Sequence, residues 1–266
     1  MAIKTTIYYW NQGIGHIGFR IQNVDFNQEY YRSSAHSNFS KDSKSYDKPP
    51  ISFSLPIVDV NYDDLMMIFE KKIDDGGDEW NFAFISCTRA LHNMLQTAGF
   101  IFTEIQNLFK RPYIVALEAL SAGFNSLDKH YTFVKEYSYQ TTKRLDELGK
   151  IARDYLQLTI ASDLIHNDLK RVPQLEQQLQ KLKQFDFTKI HDENFVVNLQ
   201  KLKQEIEVPK IQEMLQLAIE LKLQLPHRQM LFANRRLQHE MLFSNRRLQP
   251  EVFGNCKQSP VAAHSP

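Results

Sequence analysis

The amino-acid sequence predicts an α+β section followed by an α-helical one, and three observations carry that reading. Between positions 3 and 55 apolar residues alternate with polar ones, as half-buried strands require. From about position 61 the apolar spacing changes to three and four residues, the period of a helix packed on one face. Beyond Ser126 no strand pattern returns. Among 266 residues, 42% are hydrophobic and 12% aromatic, which is enough to bury a core and argues against wholesale disorder.

The alternation is clearest in Ile17, Phe19 and Ile21, with Gly18 and Arg20 on the opposite face. Strands are expected over residues 3–9, 16–22 and 29–33, and a fourth over 52–55 after a Ser-rich loop at 33–50; Pro56 closes this section. Asn61 or Asp63 can cap a helix that runs through Lys72 with Leu65, Ile68 and Phe69 on one face, and the run at 74–78 ends it. A second helix is expected over 85–98, with Gly99 in the stop position. A third opens at Pro112, well suited to a first helical turn, and ends near Gly123.

Farther on, the seams are Val172, Leu175, Leu179, Leu182; then Phe195, Leu199, Leu202, Ile206; then Ile211, Met214, Ala218, Leu221, Leu225. Their steps of three and four are coiled-coil-like. Pro173, Pro209 and Pro226 punctuate them, so several helices packed as hairpins are expected rather than one rod. The expected organisation is an α+β domain at 1–125, an α-helical domain at 126–253 and a disordered tail at 254–266.

Charge is nearly balanced overall, with Lys+Arg 32 against Asp+Glu 31, but it is unevenly placed. Residues 1–125 are net acidic, whereas residues 227–249 hold five arginines and the single acid Glu240. That basic stretch contains a repeat: the nine residues from Met230 recur from Met241 with one difference. A shift of eleven residues is close to three helical turns, so Arg235, Arg236, Arg246 and Arg247 return to nearly one face. The plain reading is a lengthened helix with solvated arginines. The functional reading is a basic amphipathic helix for an anionic membrane or an acidic partner.

Several classes find little support. Two cysteines, Cys87 and Cys256, cannot make a disulfide framework, and a reducing compartment is the simplest reading. The opening residues hold no long apolar run, so no Sec-type leader is expected, and no stretch approaches the length of a membrane span. The nine histidines show no metal-ligand spacing, so no metal or cofactor is expected. Nucleic-acid binding rests on the repeat alone and is not expected. Gly13-Ile-Gly-His-Ile-Gly18 has the letters of a dinucleotide loop, but its glycines lead into a strand instead of opening a helix. His166-Asn-Asp-Leu-Lys170 with Asp186-Phe187 has some letters of a kinase, yet Pro173 and Thr188 stand where an Asn and a Gly belong, and the segment reads as continuous helix.

The strongest chemical signal is Cys87, at the first turn of an apolar helix. There the helix dipole and free backbone N–H groups favour a thiolate and can hold an oxyanion. The plain alternative is a small buried hydrophobe. His16, glycine-flanked at a strand start, is the base such a thiol needs. The His strand, then Leu55-Pro56, then Trp80 shortly before Cys87, then the Pro-opened helix at Lys110-Arg-Pro-Tyr together resemble the permuted NlpC/P60-type branch of the papain-like fold, over roughly residues 3–123. The version in secreted effectors of intracellular bacterial pathogens is the nearest likeness.

The resemblance implies a papain-like N-terminal domain with Cys87 as nucleophile, His16 as general base and a His-orienting polar residue on the following strand. Ser33 is the preferred choice for that third group, and His36 is next. The family often places Asn directly before the Cys, and Ser86 stands there. The implied activity is thiol-dependent hydrolysis or acyl or amine transfer at an amide or ester bond of a protein or peptide. The other reading is an inactive papain-like scaffold whose helical part binds a host protein or membrane.

Overall fold

The computed structural model describes residues 3–13, 15–23, 27–33, 39–57, 112–136 and 140–224, together with Met66, Met67, Thr88, Leu91 and Leu95. By its contacts the chain falls into two compact units, Met1–Lys222 and Leu223–Pro266. The elements below belong to the first, apart from the last residue of the final helix.

Four strands, β1 (Ile3–Trp10), β2 (His16–Asn23), β3 (Gln28–Ser33) and β4 (Ile51–Ile57), form an antiparallel sheet in the order β3-β2-β1-β4. Their bounds lie within a residue or two of those the alternation predicts. The β1–β2 turn uses Gly13 and Gly15, both at positive φ, where a side chain would be strained. The glycine-rich letters there thus serve a hairpin. The segment expected as a loop carries a short helix, α1 (Phe39–Ser43).

Five further helices follow: α2 (Pro112–Glu136), α3 (Thr141–Ile165), α4 (Val172–Gln184), α5 (Phe195–Glu205) and α6 (Pro209–Leu223). The chain is therefore mixed α+β, with one four-stranded antiparallel sheet and six helices whose bounds fall among the described residues. Of the helix expected over 85–98, Thr88, Leu91 and Leu95 are described; all three are helical and buried. The helix expected from position 61 lies outside the described residues except for Met66 and Met67, which are helical.

Two sequence expectations are corrected. Gly123 does not end α2. It is a packing notch, because a Cβ there would approach Leu55 Cδ2 at 2.8 Å and Leu158 Cδ1 at 2.9 Å, and the helix runs on to Glu136. Its end is met from outside, where Arg144 donates Nε to the Val134 carbonyl (3.1 Å) and Nη2 to that of Lys135 (2.9 Å). Nor is the segment around His166 continuous helix. The α3 helix stops at Ile165, Asn167 adopts φ 59°, and α4 begins at Val172.

The strand register separates two faces. Ile7, Ile17, Phe19, Ile21, Phe53 and Leu55 are buried on one side, and Leu55 meets α2 and α3 there. Across the helices, every described member of the three predicted seams is buried. Leu225 lies outside the described residues. The joints between helices are polar. Tyr131 of α2 donates to Glu213 of α6 at 3.0 Å, Lys210 reaches Asp128 and Glu213 at 3.6 and 3.3 Å, and the buried Gln178 accepts from the Glu207 N–H at 3.1 Å.

Candidate functional site

His16 opens β2 directly opposite Trp10 of β1, and the alternation turns both side chains to the sheet face away from Leu55. An apolar side chain would serve burial there equally well, yet a histidine occupies it at 5% exposure. Its ring stacks on Tyr46 at 5.1 Å and 17° and leans on Trp10 at 5.2 Å and 42°; Tyr46 in turn stacks on Trp10 at 5.2 Å. Two rings thus fix the imidazole plane and leave its edge for hydrogen bonding. Tyr46 comes from the chain just after α1, so the short helix inside the expected loop is what delivers it.

Ser33, the last residue of β3, is opposite Gly18 and therefore a diagonal neighbour of His16 on the same face; such pairs stand roughly 7–8 Å apart at Cα. It is 2% exposed. Gly18 between them has a packing reason to be glycine. A Cβ there would collide with the Tyr31 hydroxyl and come within 3.1 Å of its Cζ and 3.4 Å of Ser33 Cβ. Tyr31 lies across this gap, with Phe39 of α1 edge-on to it at 5.6 Å and tilted against Tyr8 at 4.5 Å.

Arg20 closes the other end of the cluster. Its guanidinium sits over the Phe39 ring at 5.1 Å and the Tyr8 ring at 5.5 Å, while Nε pairs with Glu29 at 3.1 Å. Burial raises the Tyr8 phenol above its ordinary pKa, an effect that outweighs the opposing charge of Arg20, so it stays protonated through neutral pH. Along the face the order is therefore Arg20, then Tyr8 and Ser33 flanking Gly18, then Trp10 and His16.

Of the residues singled out in the sequence, His16 and Ser33 share this buried face. Cys87 and His36 lie outside the described residues, as do Ser86, Trp80, Cys256 and the four repeat arginines. Thr88, next after Cys87, is helical and buried. Sequence reasoning missed the aromatic enclosure of His16. Tyr8 and Trp10 were legible as alternate residues of one strand, whereas nothing local marks Tyr46.

The kinase-like letters have structural roles. His166 and Asp168 are exposed, and His166 Nδ1 bonds the Ser162 carbonyl at 2.8 Å as α3 ends. Asp186 accepts from the Thr188 N–H at 2.9 Å and hydroxyl at 2.6 Å, which turns the chain so that Phe187 fills the notch left by Gly149. Among the described residues, no group of three or more His, Cys, Asp or Glu could hold a metal ion, and no helix is long and apolar enough to cross a membrane. Comparison of the chain with protein-family models, with curated proteins and with solved structures finds no match in any of the three.

Proposed function

We propose that the chain carries out thiol chemistry on an amide or ester bond, with Cys87 as nucleophile, His16 as general base and Ser33 orienting the imidazole. The observation that supports it best is a histidine buried on a sheet face, held in plane by Trp10 and Tyr46, beside a buried serine on the next strand. A base for a thiol must be pinned in one orientation and partly shielded from water, and this setting supplies both. In the first half-reaction the Cys87 sulfur attacks the carbonyl carbon. Its proton passes to His16, which returns it to the leaving amine or alcohol as the acyl-enzyme forms. Water or an amine then resolves the acyl-enzyme, giving hydrolysis or transfer. On the family resemblance, the substrate is a host protein met after secretion.

The test is alkylation of Cys87 by iodoacetamide across pH in a Cys256→Ser background, with and without His16→Gln. Cys87 is expected to react near pH 6, well below the free-thiol pKa of about 8.5, and to lose that reactivity with His16→Gln. A thiol that stays inert until the protein unfolds would remove the reading.

A further inference from the structure

The face that carries His16 continues, past Arg20, into a groove of about 850 Å3 between the sheet and helices α3 and α4. That volume is in the range of sites that take sizeable ligands. Its floor is polar: Lys4 and Thr6 from β1, Arg20 and Gln22 from β2, Ser52 and Ser54 from β4. Leu164 of α3 and Pro173 of α4 supply its more accessible apolar lining, beside the buried Ile160 and Ala161, and Gln177, Gln180 and Lys183 of α4 complete it.

Three features together select a ligand. Ser52 and Ser54 lie two residues apart on one strand, about 6.6 Å, which is the side-chain repeat of an extended chain on one face. Hydroxyls and carboxamides both donate and accept, as alternating peptide N–H and C=O groups require, and Leu164 and Pro173 offer apolar contact to side chains on the other side of such a segment. Charge sets the remainder. The lining has three cations, Lys4, Arg20 and Lys183, against Glu176, and while Arg20 is engaged by Glu29, Lys4 and Lys183 are exposed and ion-paired with no other described residue. The only ring in the lining besides Phe53, Tyr8, is buried under Phe39, so no flat aromatic platform is offered to a nucleobase.

We propose that this groove binds an extended polypeptide segment in which apolar residues alternate with acidic ones. The inference stands apart from the thiol chemistry assigned to Cys87, so either can fail alone. It is tested with the full chain by fluorescence anisotropy of a labelled octapeptide of alternating valine and glutamate. The octapeptide is expected to bind, to bind equally to Cys87→Ala, and to weaken roughly tenfold or more with Lys4→Glu plus Lys183→Glu, both exposed and therefore tolerated by the fold. Ser54→Arg, which fills the floor, is expected to abolish binding. The proposal is overturned by no binding, by equal binding of a valine–lysine octapeptide, by equal binding of oligothymidylate, or by a double variant that binds as well as the parent.

Discussion

The two faces of the sheet bury their side chains by different means. Toward α2, Ile7, Ile17, Phe19, Ile21, Phe53 and Leu55 make a mainly aliphatic layer that also buries Thr5, Tyr9 and Asn23, and fit matters where Gly123 makes room for Leu55 and Leu158. On the other side His16, Tyr8, Trp10, Tyr31 and Arg20 share space with Ser33, and each ring carries a polar atom or meets a charge. The contrast teaches that burial here serves two ends, cohesion on one side and the holding of polar groups in place on the other.

That contrast can be broken by substitution. Leu55→Ala empties the point where β4, α2 and α3 meet and is expected to cost about 3 kcal/mol in urea unfolding, the largest effect of the set. Gly18→Ala forces Tyr31 aside on the polar face. It should cost less, about 1–2 kcal/mol, while altering the near-ultraviolet circular dichroism of the Tyr8, Trp10 and Tyr31 cluster. Equal losses for the two variants would mean that both faces are simply structural.

The smallest effect lies away from the sheet. Burial, then the hydrogen bond to Glu213, push the Tyr131 phenol far above its ordinary value of 10.0. A group raised in the folded state contributes stability that is fully present below its unfolded pKa and lost as pH rises past it toward the folded one. Urea midpoints should therefore hold to about pH 10 and fall above it, and Tyr131→Phe should shallow that fall. Tyr8, Tyr9 and Tyr155, also raised by burial, are expected to keep part of the slope in the variant. A Tyr131→Phe profile that matches the parent would show that the α2–α6 joint contributes nothing to it.

The strands were legible because a two-residue period and turn glycines describe local geometry, though Pro56, read as the close of the section, sits inside β4 opposite Lys4; the seams from Val172 to Leu221 were legible because spacing alone determines which side of a helix is apolar. Local signals misled where a residue's purpose is set by a distant neighbour. Gly123 carries the signature of a helix end but answers to Leu55 and Leu158, and the break after Ile165 depends on Asn167 taking a left-handed conformation inside a polar run. In the candidate site, His16 could be named from its strand position and Ser33 only from the family resemblance. The stacking of Tyr46 on His16 could not, since those residues are thirty positions apart and meet only because α1 folds back over the sheet.

By itself, then, the sequence determined the four strands, the start of α2 and the buried sides of the last three helices, all consequences of hydrophobic period acting over a few residues. Tertiary structure alone decided which side of the sheet packs against α2, that glycines 18, 123 and 149 serve as notches for Tyr31, Leu55 with Leu158, and Phe187, and that a histidine would be enclosed by rings from two separate segments. Those outcomes depend on close packing between residues far apart in the chain, where a single methyl group settles whether two elements can meet.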